Sequence, residues 1–419
     1  MNRSKMKLKY YALVVFLVAV MFHISIAQLL TLDDCISLAK QNNLLLQQAK
    51  MDIDAARASL TDANSSYYPS ISASTNYRYG GSASVDASGS FSTGINAQYT
   101  LYKGGSIRAG SKIAKTRIKI AEENYRQQEN EIVLSVKQTF YKILQTQEQI
   151  TLVNSILKRR NDNLTLLKLN YNVGRENQPN VKQAEVSLNQ TEYDYMQAEQ
   201  NLALAKLSLS QLLNLSGQEM SIQYQDKTIE FPPLDSLTKL AENGRPEIIS
   251  QKANRDVLAE QKTQAVSNYL PTLSVSSSYG LSGDNFLEQN DNWSAGIGLS
   301  LPLFNGFSTK AKVKQTTISI KQSDLKLQDL FNSVESEVKQ AYSSLALAKK
   351  NLEVSNKTLE AAQDAYQLTK LQYEQGSTSY FFLQQKESEL TQAENSNVTA
   401  LYNLRTSNAA LEKSIGRSN

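Results

Sequence analysis

The chain has 419 residues, of which 44 are basic, 40 are acidic and one is a histidine. Four of the basic residues and the histidine, His23, fall within residues 1–27, which contain no acidic residue, so residues 28–419 carry 40 charges of each sign. This balance leaves no basic excess for nucleic-acid binding. With one cysteine, Cys35, and no other histidine, a histidine-based triad, an internal disulfide and a Cys/His metal site are excluded. We expect no enzymatic activity, no cofactor and no bound metal.

Residues 1–27 have the pattern of a secretory signal peptide. Four basic residues, the last of them Lys9, precede an apolar core at residues 12–22, which is too short to span a bilayer. A small-x-small cleavage site follows at residues 25–27, so we predict that the exported chain begins at Gln28; an uncleaved anchor is the alternative. Beyond residue 27 no apolar run reaches about 18 residues, and we expect no transmembrane helix there.

The second half of the exported chain repeats the first at an offset of 202 residues. The recurring landmarks are Leu32 and Leu234, Tyr68-Pro69 and Leu270-Pro271, Leu101 to Gly104 and Leu303 to Gly306, and Tyr171 to Gly174 and Tyr373 to Gly376. Each landmark marks a change in hydrophobic periodicity, and the repeat is far longer than the roughly 20–50 residues of solenoid units. We therefore predict two tandem repeats, at residues 28–215 and 237–419, joined by a connection at residues 216–236.

The first predicted helix covers residues 28–66 and ends before Pro69, because the residue preceding a proline disfavours the helical conformation. Residues 106–171 contain no proline, and as one helix they would be roughly 100 Å long. Their counterparts in the second repeat are residues 308–373. Return helices are predicted at residues 179–215 and 380–415, each following a glycine that ends the long helix.

Both long helices carry a stripe of apolar residues at seven-residue intervals. The members are Val136, Ile143, Ile150, Leu157, Leu164 and Tyr171 in the first, and Val338, Leu345, Leu352, Leu359, Tyr366 and Tyr373 in the second. Positions three and four residues further on are often small or polar, which is unlike a two-stranded zipper. The narrow stripe favours helices packed side by side in a larger assembly; an ordinary globular bundle is the alternative.

Period-two alternation appears in two segments of each repeat, at about residues 70–79 and 91–102 and at about residues 272–281 and 293–303. One face of each predicted strand is apolar and aromatic, whereas the other carries small and hydroxylic residues. Strands of about ten residues with this alternation are typical of outer-membrane β-barrels. The alternative is a pair of surface hairpins on a soluble protein.

Four strands cannot close a barrel, and open sheet edges are not tolerated in lipid. Two copies would supply eight strands, whose interior is filled by side chains, and three copies would supply twelve, enough for a channel. The predicted fold is mostly α with β structure. It comprises a long α-helical coiled-coil barrel and a membrane β-barrel with four strands per chain and twelve in a trimer, built from two tandem repeats.

The sequence resembles the TolC family of outer-membrane efflux proteins over nearly all of residues 28–419. The motifs that carry the resemblance are LTLDDCISLAKQNN, YYPSISAS, LYKGG and YNVG in the first repeat and YLPTLSVS, LFNGF and YEQG in the second, in matching order. The resemblance implies a homotrimer with its barrel in outer-membrane lipid and a helical tunnel in the periplasm. It also implies docking to a periplasmic adaptor protein and an inner-membrane pump, with residues 216–236 joining a belt around the tunnel.

The resemblance assigns roles to two hairpin tips, at about residues 171–178 and 373–380. The adaptor-docking candidates are Tyr171, Gly174, Tyr373 and Gly376. Family members often have acidic residues six and nine positions after the second tip glycine, and here those positions hold Phe382 and Gln385. We therefore expect a periplasmic gate lined by Phe382 and Gln385 instead of carboxylates. The alternative is an acidic gate, in which a rotated helix presents Glu374 or Glu387 to the axis of the tunnel.

Together these features predict a passive outer-membrane duct of a tripartite export system, with drug or small-molecule efflux favoured. A type I protein secretion duct is the alternative within the same class. An outer-membrane-anchored structural coiled-coil protein would explain the helices but not two amphipathic hairpins, and a diffusion porin would explain the strands but not the long helices.

Overall fold

The computed structural model describes residues 28–82, 85–215, 220–224, 231–287 and 290–417. The predicted signal peptide and part of the predicted connection at residues 216–236 lie outside the described residues. The chain divides into two compact units. Unit 1 comprises the described parts of residues 1–46, 129–237 and 337–419, and unit 2 comprises those of residues 47–128 and 238–336.

The chain is mostly helical with two pairs of long strands, which confirms the predicted fold class. In chain order the elements are β1 (Gln28–Leu30), α1 (Leu32–Asn42), α2 (Leu44–Ser65), β2 (Ser70–Ser82), β3 (Val85–Lys103), α3 (Ser106–Asn172), α4 (Gln178–Leu213), β4 (Met220–Ile222), α5 (Leu234–Gly244), α6 (Pro246–Ser267), β5 (Thr272–Gly283), β6 (Asn290–Ser300), α7 (Ser308–Glu374) and α8 (Tyr380–Ser414). The bounds of α1, α2 and α3 recur in α5, α6 and α7 at the offset of the sequence repeat. The duplication read from the sequence is therefore a duplication of whole elements.

The prediction of one helix over residues 28–66 is wrong. The segment begins with the short strand β1, which pairs in parallel with β4, and its helical part breaks at Asn43. Asn43 is extended, with φ −64° and ψ 127°, and its Oδ1 accepts hydrogen bonds from the backbone N–H groups of Leu45 and Leu46. Because this side chain replaces helical hydrogen bonds at the start of α2, it interrupts the helix without a proline or glycine.

The two long helices, α3 and α7, each have 67 residues and match their predicted bounds within one residue. Most of the apolar stripe is buried or half-buried, including Val136, Ile143, Val338 and Leu345. The exception is Tyr171, which is 43 % exposed at the end of α3. Among the described residues, no helix is both long enough and apolar enough to cross a membrane.

The four long strands of unit 2 form one antiparallel sheet in the order β2-β3-β5-β6. Its register places the predicted apolar residues of neighbouring strands opposite each other. The pairs are Ile71 with Ala97, Tyr77 with Phe91, Tyr99 with Val275, Ile95 with Tyr279, Leu273 with Leu299, Val275 with Ile297 and Tyr279 with Trp293. The sheet therefore has one apolar, aromatic face, and most of its large side chains are exposed, Trp293 by 75 %.

Several strand bounds differ from the prediction: the end of β2, the end of β5 and the start of β6 each lie two or three residues further into the hairpin loops, and two other bounds have a clear cause. β3 begins at Val85, before the predicted start at residue 91, because its pairing with β2 continues through residues that lack clear alternation. β6 ends at Ser300 and does not continue to residue 303. Pro302 follows, and a proline has no N–H to donate to a strand ladder.

Gly94 of β3 lies opposite Gly280 of β5, and the two backbones approach each other closely there. This contact yields a testable prediction. A Cβ on Gly94 would lie 2.9 Å from the carbonyl oxygen of Tyr279, whereas a Cβ on Gly298 would meet only Ser274 Oγ, at 3.6 Å. We expect Gly94→Ala to lower the free energy of unfolding by about 1–3 kcal/mol through overpacking. Gly298→Ala should change it by less than about 0.5 kcal/mol. Denaturant unfolding in detergent, followed by circular dichroism, measures both; equal losses in the two variants would contradict the proposed steric cause.

Candidate functional site at the hairpin tips

The two hairpin tips of unit 1 have the same backbone turn. Gly174 has φ +74° and Gly376 has φ +76°, the left-handed conformation expected just after a helix. At each tip the glycine N–H bonds to the carbonyl three residues back, and the next N–H bonds to the carbonyl five residues back. This double hydrogen bond is the Schellman motif, and it satisfies carbonyl groups that the helix end would leave unpaired.

The tyrosines that precede these turns differ, although they occupy equivalent positions of the repeat. Tyr171 is largely exposed, whereas Tyr373 is 7 % exposed and lies within the hairpin core. The Tyr373 hydroxyl donates to Glu176 Oε2 at 3.1 Å and accepts from Asn170 Nδ2 at 3.4 Å. Tyr373 therefore links α7 to α3 and to the turn after it, and Tyr171 does not have this role.

One hydrophobic cluster packs the two tip hairpins together. Its buried members are Leu164, Leu167, Val181, Ala184, Tyr366, Tyr373, Tyr380, Leu383 and Leu390. They come from all four helices, α3, α4, α7 and α8, and three of the nine are tyrosines. The hairpins are thus held by a mixed core in which phenolic hydroxyl groups need polar partners.

The two predicted gate residues lie on the exposed side of α8. Phe382 is 52 % exposed, and its ring makes an edge contact with that of Phe381 at 5.7 Å. Gln385 is exposed, and its Nε2 donates to Glu389 Oε1 at 3.1 Å. Glu389 also pairs with Lys386 at 2.7 Å, so the surface beside Gln385 carries one charge of each sign. The structure brings the two residues to one surface of the helix, and their role at a gate remains a proposal.

The two alternative gate carboxylates occupy opposite environments. Glu374 is exposed at the end of α7. Glu387 is only 5 % exposed and points into the hairpin core, where its Oε2 accepts from Asn163 Nδ2 at 2.9 Å. Asn163 also donates to the Tyr366 hydroxyl at 3.2 Å. Glu387 therefore contributes to the packing between helices and does not lie on a surface.

The sequence analysis named Glu387 only as an alternative gate carboxylate and missed its burial beside Arg159 and Arg160. A signal was present in the spacing of α8. Glu387 occupies the third place in the series Tyr380, Leu383, Glu387 and Leu390, whose intervals of three and four residues mark the buried face of a helix. A carboxylate at such a place requires polar partners on the facing helix.

Burial shifts the ionisation of several groups at the tips. It raises the pKa of Tyr380 to about 12 and also raises the pKa of Tyr366 and of Tyr373. The phenols are therefore neutral hydrogen-bonding groups at physiological pH.

Within the described residues, no three Cys, His, Asp or Glu side chains are placed to share a metal ion.

Comparison with known proteins identifies one family. The model of the family described as outer membrane efflux protein matches residues 35–215 and 237–417, so the two matched segments have the same offset as the repeat. Outer membrane protein TolC of Vibrio cholerae serotype O1 is 24 % identical over 317 residues, which are 72 % of this chain and 71 % of that protein. Toluene efflux pump outer membrane protein TtgC of Pseudomonas putida is 23 % identical over 409 residues, or 92 % and 82 % of the two chains.

Solved structures show the same fold. A crystal structure of CusC superposes with a TM-score of 0.84 at 19 % identity, over 92 % of this chain and 91 % of that one. At this identity the likeness concerns the architecture alone. The mostly helical chain with two strand pairs is therefore a known arrangement.

The tip turns yield a prediction for hairpin stability. No atom lies within 4 Å of a Cβ built on Gly376, so only its positive φ opposes substitution. We expect Gly376→Val to cost at least about 1 kcal/mol and to increase hydrogen exchange of the amides in the tip turn. Gly376→Asn should cost less, because asparagine tolerates the left-handed conformation. Hydrogen exchange with mass spectrometry of both variants tests this, and equal protection in the two would refute the backbone explanation.

Proposed function

The chain belongs to the outer membrane efflux protein family, and we propose that three copies form a duct that exports small molecules in a tripartite system. It is an outer-membrane channel protein and not an enzyme. The main support for a trimeric duct is the amphipathic sheet of unit 2, which has one apolar face, one hydroxylic face and two open edges.

The two faces of the sheet suit lipid on one side and a water-filled lumen on the other. Exposed apolar side chains cover the first face, among them Ile71, Tyr77, Ile95, Trp293, Ile297 and Leu299. The second face carries mainly serine, asparagine and glycine at the alternate positions of each strand, together with Gln98, Thr100 and the charged Arg78. Since transmembrane barrels place apolar residues toward lipid and polar residues toward the lumen, this sheet supports a membrane location for these strands.

The outer strands support assembly from several copies. Within the described sheet, β2 pairs only with β3, and β6 pairs only with β5. An unpaired backbone group in lipid costs several kcal/mol, so β6 of one copy would pair with β2 of the next. Three copies give twelve strands, which enclose a lumen, whereas eight strands are filled by their own side chains.

The tips support docking to a periplasmic adaptor. The family resemblance implies an adaptor and an inner-membrane pump as partners, and a passive duct requires such an energy source. Gly174 and Gly376 form identical turns, and Tyr171 is exposed beside the first of them. Paired tips repeated by threefold symmetry would offer six similar docking positions to the adaptor.

Small molecules are the favoured cargo. The matched relative TtgC is named as part of a toluene efflux pump, and its match spans 92 % of this chain. A hydroxylic lumen face would offer hydrogen bonds but few fixed charges, which suits solutes of varied charge. Protein cargo would instead require an ABC-type exporter as the partner, so export assays with each pump class separate the two cargo classes.

The proposed gate is hydrophobic. Three symmetry copies of Phe382 near the axis would narrow the entrance with aromatic rings, and an apolar constriction closes a pore by losing its water. Gln385 adds an amide, which holds a multivalent cation far less strongly than three converging carboxylates do. Adaptor binding would open this closure by separating the tips.

Assembly is tested by mass measurement in mild detergent combined with insertion into planar bilayers. We expect a mass equal to three chains, and conductance steps only from that species. A stable monomer or dimer that inserts and conducts would overturn the trimeric duct.

The gate is tested by single-channel recording on Phe382→Ala with Phe381→Ala as the matched control. Both side chains are exposed neighbours on α8, but they differ by about 100° around the helix. We expect a higher conductance for Phe382→Ala and wild-type conductance for Phe381→Ala. Trivalent cations on the periplasmic side should not block the wild type and should block Gln385→Glu. Block of the wild type, or unchanged conductance in Phe382→Ala, would refute the hydrophobic gate.

A further inference from the structure

Glu387 lies where the four helices of the tip hairpins meet. Its carboxylate is on α8, and Arg159, Arg160 and Asn163 approach it from α3. Asn163 extends the contact to Tyr366 on α7, and Arg160 extends it to Ser187 and Thr191 on α4. We call this group of residues the Glu387 node.

The two arginines of the node direct their terminal nitrogens at other acceptors. Arg159 forms a bidentate pair with Glu394, with N–O distances of 3.0 and 2.9 Å, and also donates to Thr391. Arg160 directs Nη1 at the Ser187 carbonyl oxygen, at 2.8 Å, and at Thr191 Oγ1. Only their Nε atoms face Glu387 Oε1, at 3.8 and 3.7 Å, which is beyond hydrogen-bond length.

Glu387 is therefore a buried carboxylate with half of its hydrogen-bonding capacity unused. Its Oε1 and the Arg159 Nε are buried and have no hydrogen-bond partner among the described residues. A polar cavity of about 150 Å³ lies against the carboxylate and is lined also by Arg160, Tyr380 and Gln384. This space is large enough for water, through which a proton can reach the carboxylate.

The charged and titratable groups around Glu387 set the balance between its two protonation states. They are Arg159 and Arg160 on α3, Tyr366 on α7, and Tyr380 and Glu394 on α8; the α4 groups in contact with Arg160, Ser187 and Thr191, are neutral. The arginines favour the carboxylate, whereas burial and the negative charge of Glu394 favour the acid.

We propose that Glu387 is a proton-binding site that couples pH to the docking of the α7–α8 tip hairpin on the α3–α4 tip hairpin. The carboxylate of Glu387 binds the proton when the hairpins are docked, and the resulting neutral acid can donate a hydrogen bond into the cavity. Loss of the proton leaves a buried charge that its neighbours only partly compensate, and separation of the hairpins exposes that charge to water.

The direction of the effect follows from linkage. Burial is the largest influence on Glu387 and raises its pKa above the ordinary value, while Asn163 and the two arginines oppose the shift. A raised pKa in the docked state means that this state binds the proton more tightly than the separated state. Docking is therefore stabilised at low pH and weakens as pH rises through the pKa of the docked state, by at most ~tenfold in its equilibrium constant per pH unit.

The repeat itself provides a matched control. Glu185 on α4 is the counterpart of Glu387 in the first repeat, but it is partly exposed and pairs with Lys182 at 2.8 Å and Lys168 at 3.2 Å. Hydrogen bonds from these lysines lower the pKa of Glu185, so its proton affinity is shifted in the opposite direction. Glu185→Gln removes an equivalent carboxylate without altering the Glu387 node.

The first experiment measures hydrogen exchange of the full-length protein in detergent from pH 4.5, the ordinary pKa of a glutamate, up to about pH 8, corrected for the intrinsic rate at each pH. The wild type and Glu185→Gln should lose protection severalfold in tip segments of α3 and α8 as pH rises. Glu387→Gln, a neutral isostere of the acid, should keep the low-pH protection throughout. Equal pH dependence in wild type and Glu387→Gln would overturn the proton site.

The second experiment rests on the proposed function and records conductance in bilayers over the same pH range. We expect wild-type openings to become more frequent as pH rises, and Glu387→Gln to stay in the low-conductance state. A conducting wild type whose pH response survives in Glu387→Gln would overturn the coupling and leave the duct intact. A wild type that never conducts would overturn the duct, and the exchange measurement would still decide the proton site.

Discussion

The unpaired backbone of the two outer strands is the constraint on which the rest of this structure depends. A four-stranded sheet with an apolar face gains its stability in lipid, but its edges present N–H and C=O groups that lipid cannot satisfy. Pairing between copies is the solution that needs no further element. In the proposed trimer, shared strands would hold the helices of the three chains side by side, and narrow apolar stripes would suffice because each helix would pack against neighbours from its own and adjacent chains.

The two repeats contain the same helices and strands, but residues at equivalent positions differ, and these differences determine the charges and hydrogen bonds at the hairpin tips. Equivalent positions of the two repeats hold Glu185 and Glu387, yet the first is partly exposed with a lowered pKa and the second is buried with a raised pKa. The cause lies on the facing helices. Arg159, Arg160 and Asn163 of α3 correspond to alanines in α7, so the second repeat has no counterpart of the polar group that surrounds Glu387, and Glu185 pairs instead with the lysines Lys168 and Lys182. A symmetric fold thereby carries an asymmetric site.

Periodicity made the elements predictable, because long helices and amphipathic strands leave patterns that extend over many residues. The bounds of α3 and α7 and the cross-strand apolar pairs agree with the sequence prediction. The break at Asn43 was missed, since a single side chain that caps a helix leaves no periodic signal. The environment of Glu387 was missed for a related reason: its partners, such as Asn163, lie in the other repeat, far away in sequence, and only the packing of four helices brings them together.

The composition of the tip core suits the proposed periplasmic gate, which has to open. A purely apolar core would hold the hairpins more firmly, whereas burying Arg159, Glu387 and Glu394 costs desolvation that their mutual attraction only partly repays. Three tyrosines add hydroxyl groups that retain hydrogen bonds in water after separation. The docked and separated states therefore differ less in free energy than they would with a leucine core. In the proposed duct, an adaptor bound at the tips would then need only a modest preference for one state to shift the equilibrium.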